Sequence, residues 1–172
     1  MLPLLCIGVR QGQANVVAPF SKMRVRALSQ IEKAYDYGFP LFDQARRRYL
    51  FSYDTTNAHL VAVNSFGHAR TLAGPAVHGV TTPNSDTLYS SAALDLSDGP
   101  VELDVPDFGD RYFSVALLDA YTNNFSYVGT RTGNAHGGRF LIVGPSWRGA
   151  VPDAVQIIHA PGNHPLAFAR IR

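Results

Sequence analysis

The residues able to do chemistry are few, and their spacing organises little of it. Six histidines stand at positions 59, 68, 78, 136, 159 and 164. None sits in a His-x-x-x-His pair or beside a carboxylate at the spacing of a helical metal motif. His159 and His164 flank Ala-Pro-Gly-Asn, a turn that could draw two imidazoles together, but such a pair serves loop hydrogen bonding as readily as a metal. A single cysteine, Cys6, excludes an intrachain disulfide framework and any zinc site built on paired thiolates. Gly144-Pro145-Ser146-Trp147 lacks the spacing of a nucleophile elbow. Thr130-Arg131-Thr132-Gly133 carries no phosphate-loop lysine, and no Gly-x-Gly-x-x-Gly opens a helix. No catalytic residue, metal site or cofactor is therefore expected.

Two groups remain as ligand-binding candidates. The densest polar run is Thr82 to Ser90, in which Pro83 fixes the backbone while Asn84 and Asp86 can accept bonds from main-chain amides. Those side chains shape a turn without any ligand. The alternative is that Asn84, Asp86, Thr87 and Tyr89 line a polar cleft at one end of the fold. Arg111, Asp119 and Arg131 form the second group. Each falls at an expected strand end beside aromatic residues, where a guanidinium–carboxylate pair would pin strands together or grip an anionic or sugar ligand. Tyr112, Phe113, Tyr121, Phe125 and Tyr127 read as core and edge packing in preference to a sugar-stacking platform.

The elements that must position these residues fall into two blocks. Val25, Leu28, Ile31 and Tyr35 recur at three- and four-residue intervals, predicting a helix over 21–37 with Ser21 as N-cap and Gly38 and Pro40 as terminators. A second helix is expected over 41–53, its outer side carrying Arg46-Arg47-Arg48, which reads as a solvated face. Beyond Leu60, turn signals recur every eight to twelve residues. Between them lie short β-rich segments near 87–96, 100–105, 111–119, 125–131, 139–143, 155–159 and 166–171. Val101, Leu103 and Val105 alternate with Glu102 and Asp104, as a strand with one buried face requires. The expectation is a mainly β chain: an antiparallel sandwich or barrel of about seven strands preceded by two helices, forming one domain over 21–172 after a tail of residues 1–20.

Composition agrees with a globular chain. Its 172 residues are 46% hydrophobic and 16% charged, with a net charge of +2. That balance removes the electrostatic case for a nucleic-acid partner, and no apolar run is long enough to span a bilayer. Residues 1–60 hold eight basic against four acidic side chains, and the remainder seven against nine. Leu2 to Val9 is a short apolar run that could serve in an export signal, although no positive charge precedes it.

A set of linear motifs resembles a known family. Ala34-Tyr35-Asp36-Tyr37-Gly38-Phe39-Pro40-Leu41 is followed by Asn64-x-Phe66-x-His68 and Pro83-Asn84-x-Asp86-Thr87-Leu88-Tyr89-Ser90. Then come Asp95-Leu96-Ser97-x-Gly99-Pro100, Val105-Pro106-Asp107 and Arg111-Tyr112-Phe113. Leu118-Asp119-Ala120-Tyr121-Thr122-Asn123, Gly129-Thr130-Arg131-Thr132-Gly133 and Val143-Gly144-Pro145-x-Trp147 complete the series. In this order the motifs resemble the bacterial family called domain of unknown function 1254, over about residues 31–172. The resemblance implies an immunoglobulin-like β-sandwich with preceding helices. It implies a partner of the jelly-roll type, domain of unknown function 1214, fused or separately encoded, and often an envelope location; without an export signal the location would be cytoplasmic. The series stops within what resembles the family's last strand, which would leave an edge open to pairing. The family has no assigned catalytic residues, so the motif positions Asn84, Asp86, Thr87, Arg111, Asp119 and Arg131 arrive without roles. Three readings follow: an interaction module acting with a jelly-roll partner or as a homo-oligomer and able to take a small polar or glycan ligand; a hydrolase with a polar cleft around Asp86; and a structural component of a larger assembly.

Overall fold

The computed structural model describes residues 17–75, 77 and 82–172. The export-signal run Leu2 to Val9, Cys6 and His78 lie outside them. One helix, α1 (Val17–Ser52), takes the place of the two expected. It begins before Ser21 and runs through Gly38 and Pro40, both read from sequence as terminators. Pro40 adopts a helical φ readily, at the cost of one main-chain hydrogen bond. Packing offsets that loss: Gln44, Arg48 and Phe51 are half-buried and Ser52 is buried, at the three- and four-residue intervals of one helix face. The chain divides into two compact units, one ending at Gly38 and the other running from Phe39 to Arg172.

In the second unit the expected strands are all present: β2 (Leu88–Ala93), β3 (Val101–Val105), β4 (Phe113–Leu118), β5 (Asn124–Gly129), β6 (Gly138–Val143), β7 (Gln156–His159) and β8 (Leu166–Ile171). An additional two-residue strand, β1 (Gly67–His68), pairs with β2. A five-stranded sheet has the order β1-β2-β8-β4-β5 and a three-stranded sheet the order β3-β6-β7, so neither closes into a barrel. Pairing is antiparallel throughout except between β6 and β7, which run parallel. The connection over residues 144–155 supplies the dozen residues that a parallel return needs.

Both sheets feed one core. Ala92, Phe113, Leu117 and Ala167 from the larger sheet meet Leu103, Val105, Phe140 and Ile142 from the smaller in a single buried cluster. In β3 the even positions Glu102 and Asp104 are exposed while Leu103 and Val105 are buried, as the alternation predicts. The larger sheet also has a second, outward face. Its register sets Tyr89 opposite Arg170, Ser91 opposite Phe168 and Ala93 opposite Leu166 on that side.

Candidate functional site

The motif residues divide between the two ends of the larger sheet. At one end, the Asn84 side chain accepts from the Asp86 amide at 3.0 Å, and the Asn84 amide donates to the Tyr89 phenol oxygen at 2.7 Å. Asn84 therefore builds the turn that leads into β2. The Asp86 carboxylate faces Arg172 at 3.7 Å on an exposed surface. Thr87 is buried, and its hydroxyl has no hydrogen-bond partner among the described residues. Arg131 lies over the Tyr112 ring at 5.3 Å, in the short 3-10 turn Thr130–Thr132 after β5. That turn is fixed by its own motif. The Thr132 hydroxyl accepts from the Gly129 amide at 3.0 Å, the Thr130 hydroxyl accepts from the Phe113 amide at 3.2 Å, and Gly133 supplies a left-handed φ of 83°. Arg111 is exposed and makes no ion pair among the described residues.

Asp119 belongs to the opposite end, after β4. Its carboxylate accepts from the amides of Tyr121 at 2.9 Å and Asn123 at 2.8 Å, and from the Asn123 side chain at 3.0 Å. The expected arginine partner is replaced by main-chain amides, which close the turn between β4 and β5. The seven candidates thus form no single site: Asp119 is separated from the others by the length of the sheet.

Near that same end the fold assembles a group that sequence reasoning passed over. Asp95 follows β2 and meets a guanidinium and an imidazole. Arg48 reaches it from the helix at 3.1 Å, with a second guanidinium nitrogen on the Leu94 carbonyl at 2.5 Å, and His164 stands at 3.6 Å. The arginine run is therefore not one solvated face. Arg46 is exposed and Arg47 pairs with Asp43 at the surface, while Arg48 turns inward with 17% of its side chain accessible. Successive helix residues are about 100° apart, so three in a row cannot share a direction. Asn64, at a left-handed φ of 60°, pairs reciprocally with the Asp95 main chain: its side-chain oxygen accepts the amide at 2.7 Å and its nitrogen donates to the carbonyl at 3.2 Å. Burial opposes ionisation of Asp95. The amide of Ser97 donates to the carboxylate at 3.0 Å, and hydrogen bonding from Ser97 together with the charges of His164 and Arg48 prevails, holding its pKa below the ordinary carboxylate range. The clue in the sequence was Asn64 and Asp95, which open two of the quoted motifs; nothing linear tied them to Arg48 or His164.

Beside this group a cleft of about 670 Å³ opens within the Phe39–Arg172 unit. The helix contributes Leu41, Ala45 and Arg48, and the outward sheet face contributes Ala93, Leu166 and Phe168. Among the described residues no group of three or more His, Cys, Asp or Glu side chains gathers to hold a metal. None of the described helices is long and apolar enough to cross a membrane.

Residues 63–172 match the family model described as Protein of unknown function (DUF1254). The chain belongs to that family. The matched span contains every strand, and so both ends of the larger sheet with Asp86 and Asp95. No curated protein matches this DUF1254 chain. Among solved structures it is similar to the VPA0106 protein from Vibrio parahaemolyticus, a structural genomics target, with 25% identity and a TM-score of 0.63. The alignment covers 80% of this chain and 31% of that one, so the chain spans about a third of the length of that solved relative.

Proposed function

We propose that this DUF1254 chain is a noncatalytic interaction module that docks a jelly-roll partner domain through the first half of α1. The observation that carries the reading is the exposure of Val25, Leu28 and Ile31, each with 51–67% of its surface accessible. Leu28 and Ile31 lie one helical turn apart, with Val25 a turn before them, so they form a stripe and not scattered positions. A contiguous apolar stripe on a charged helix is a surface suited to association. The resemblance supplies the partner class, and a second copy of the chain is the competing occupant. The reading extends to an immunoglobulin-like sandwich, supported by two sheets that share one core, and to a bacterial envelope location, supported by the resemblance alone.

The test is co-expression with the jelly-roll protein of the same genome, followed by size-exclusion chromatography with light scattering. A stoichiometric heterocomplex is expected, dispersed by Leu28→Lys/Ile31→Lys with no change in melting of the sheet unit. A homodimer dispersed by the same pair would move the reading to self-association. A monomer that binds neither would overturn it.

A further inference from the structure

The cleft beside Asp95 is a different surface from the partner stripe, and its lining has a chemical bias of its own. Leu41, Ala45, Ala93, Leu166 and Phe168 give it an apolar floor and walls. Ala93 and Ser91 leave room there because both are small. The volume of about 670 Å³ lies within the range of small-molecule sites. Its polar lining comes from Gln44, Arg48, Ser91, Asn57 and His164, every one able to donate a hydrogen bond, and no Asp or Glu lines it.

The charge bias points the same way. Three consecutive arginines, Arg46, Arg47 and Arg48, border the cleft together with His164. Asp43 offsets Arg47 and Asp95 offsets Arg48, whereas Arg46 has no ion pair among the described residues. Arg46 is exposed at the border of the cleft, so it acts through its field at the rim. The field of an exposed charge reaches roughly 8–10 Å before salt screens it. His164 uses Nδ1 toward Asp95, which leaves Nε2 on the other edge of a ring whose side chain is 55% accessible.

We propose that this cleft binds an amphipathic carboxylate. Its hydrocarbon body lies against Phe168, Leu166 and Ala93, and its carboxylate meets His164 and the free donors of Arg48. Asp95 positions the Arg48 guanidinium and the His164 imidazole and does not touch the ligand. A neutral alcohol would bury the same apolar surface without the charge-assisted bonds, and an amine would meet the arginines with like charge.

Calorimetric titration of the full chain with decanoate and decylamine below their micellar concentrations, and with decanol below its solubility limit, tests this. Decanoate is expected to bind roughly tenfold or more tightly than decanol, as one charge-assisted bond would give, with decylamine weakest. Ser91→Phe, which fills the cleft from the sheet, is expected to abolish decanoate binding. Arg46→Gln/His164→Gln changes only exposed or half-exposed side chains, so it keeps the test independent of folding. That pair is expected to reduce the decanoate preference by roughly tenfold while leaving decanol unchanged. Equal binding of decanoate and decanol, an unaltered preference in the double variant, or no decanoate binding would each overturn the proposal. So would association with anionic phosphatidylglycerol vesicles in the absence of any decanoate binding.

Discussion

Asp95 collects more partners than any other carboxylate near the cleft, and those partners come from three separate stretches of chain: Arg48 from the helix, Ser97 from the adjoining turn and His164 from the turn before β8. Removing the guanidinium would leave the Leu94 carbonyl without its 2.5 Å donor and Asp95 without its nearest counter-charge. Arg48→Met is therefore expected to cost about 1–3 kcal/mol, measured by denaturant unfolding. Combining it with Asp95→Asn should be less than additive, with a coupling of at least about 0.5 kcal/mol. The pH dependence follows from the lowered pKa of Asp95, and its sign is fixed. A carboxyl with a folded-state pKa below its unfolded value contributes stability above the ordinary range, and that contribution is lost as pH falls from about 4 through the lowered value. Asp107, bonded to the Gly109 amide and His136, and Glu102, bonded to Arg139, are shifted the same way. The unfolding midpoint should fall below about pH 4, and Asp95→Asn should flatten that fall. At this scale the sequence displayed part of the turn chemistry. Asn84, read as a turn former, accepts from the Asp86 amide. Asp119, expected to pair with an arginine, and Thr132, given no turn role, also bond amides within four residues. The Asp95 group was not legible, because its members lie up to 116 positions apart, from Arg48 to His164, and meet only once the sheet has formed.

Strands and helix differ in how much of themselves they announce. Each of the seven strands foreseen carries β-branched or aromatic residues between turn signals, and β3 alternates cleanly, so local pattern and tertiary burial agree. β1 has only two residues and exists because Gly67 and His68 lie against Ser91 and Ser90, a pairing invisible without its partner. The parallel register of β6 and β7 is likewise a property of the long connection and not of either strand. The helix reverses its local signals. Gly38 and Pro40 both argue for termination, and the chain continues because the face bearing half-buried Gln44 and Arg48 and buried Ser52 packs down. A proline inside a helix forfeits a bond and crowds the carbonyl four residues earlier. Pro40→Ala is thus expected to increase helical ellipticity and stabilise the chain by up to about 3 kcal/mol, read from thermal melts followed at 222 nm. A lower melting point would show that the proline itself, and not only the helical conformation, seats residues 41–52.

The two compact units carry different parts of what this molecule is proposed to do, and the boundary at Gly38 makes that separable. Every residue of the buried cluster, and everything packed against it, falls between Phe66 and Ile171. The helix segment from Leu41 to Ser52 contributes Arg48 to the Asp95 group and lines the cleft, so it belongs energetically with the sheets. The stripe of Val25, Leu28 and Ile31 adds nothing to that core. No residue of α1 before Gly38 belongs to the buried cluster, so the first unit draws no burial from that core. A chain of residues 39–172 is therefore expected to unfold in one cooperative transition, with a denaturant midpoint close to that of the full chain. It should retain decanoate binding and lose the jelly-roll complex, since the cut removes one surface and spares the other. Loss of cooperative folding would show that the helix before Gly38 is part of the core unit. Retention of the complex would move the docking surface onto the sheets, where the open edge of β5 and the outward face of β8 become the surfaces to alter next.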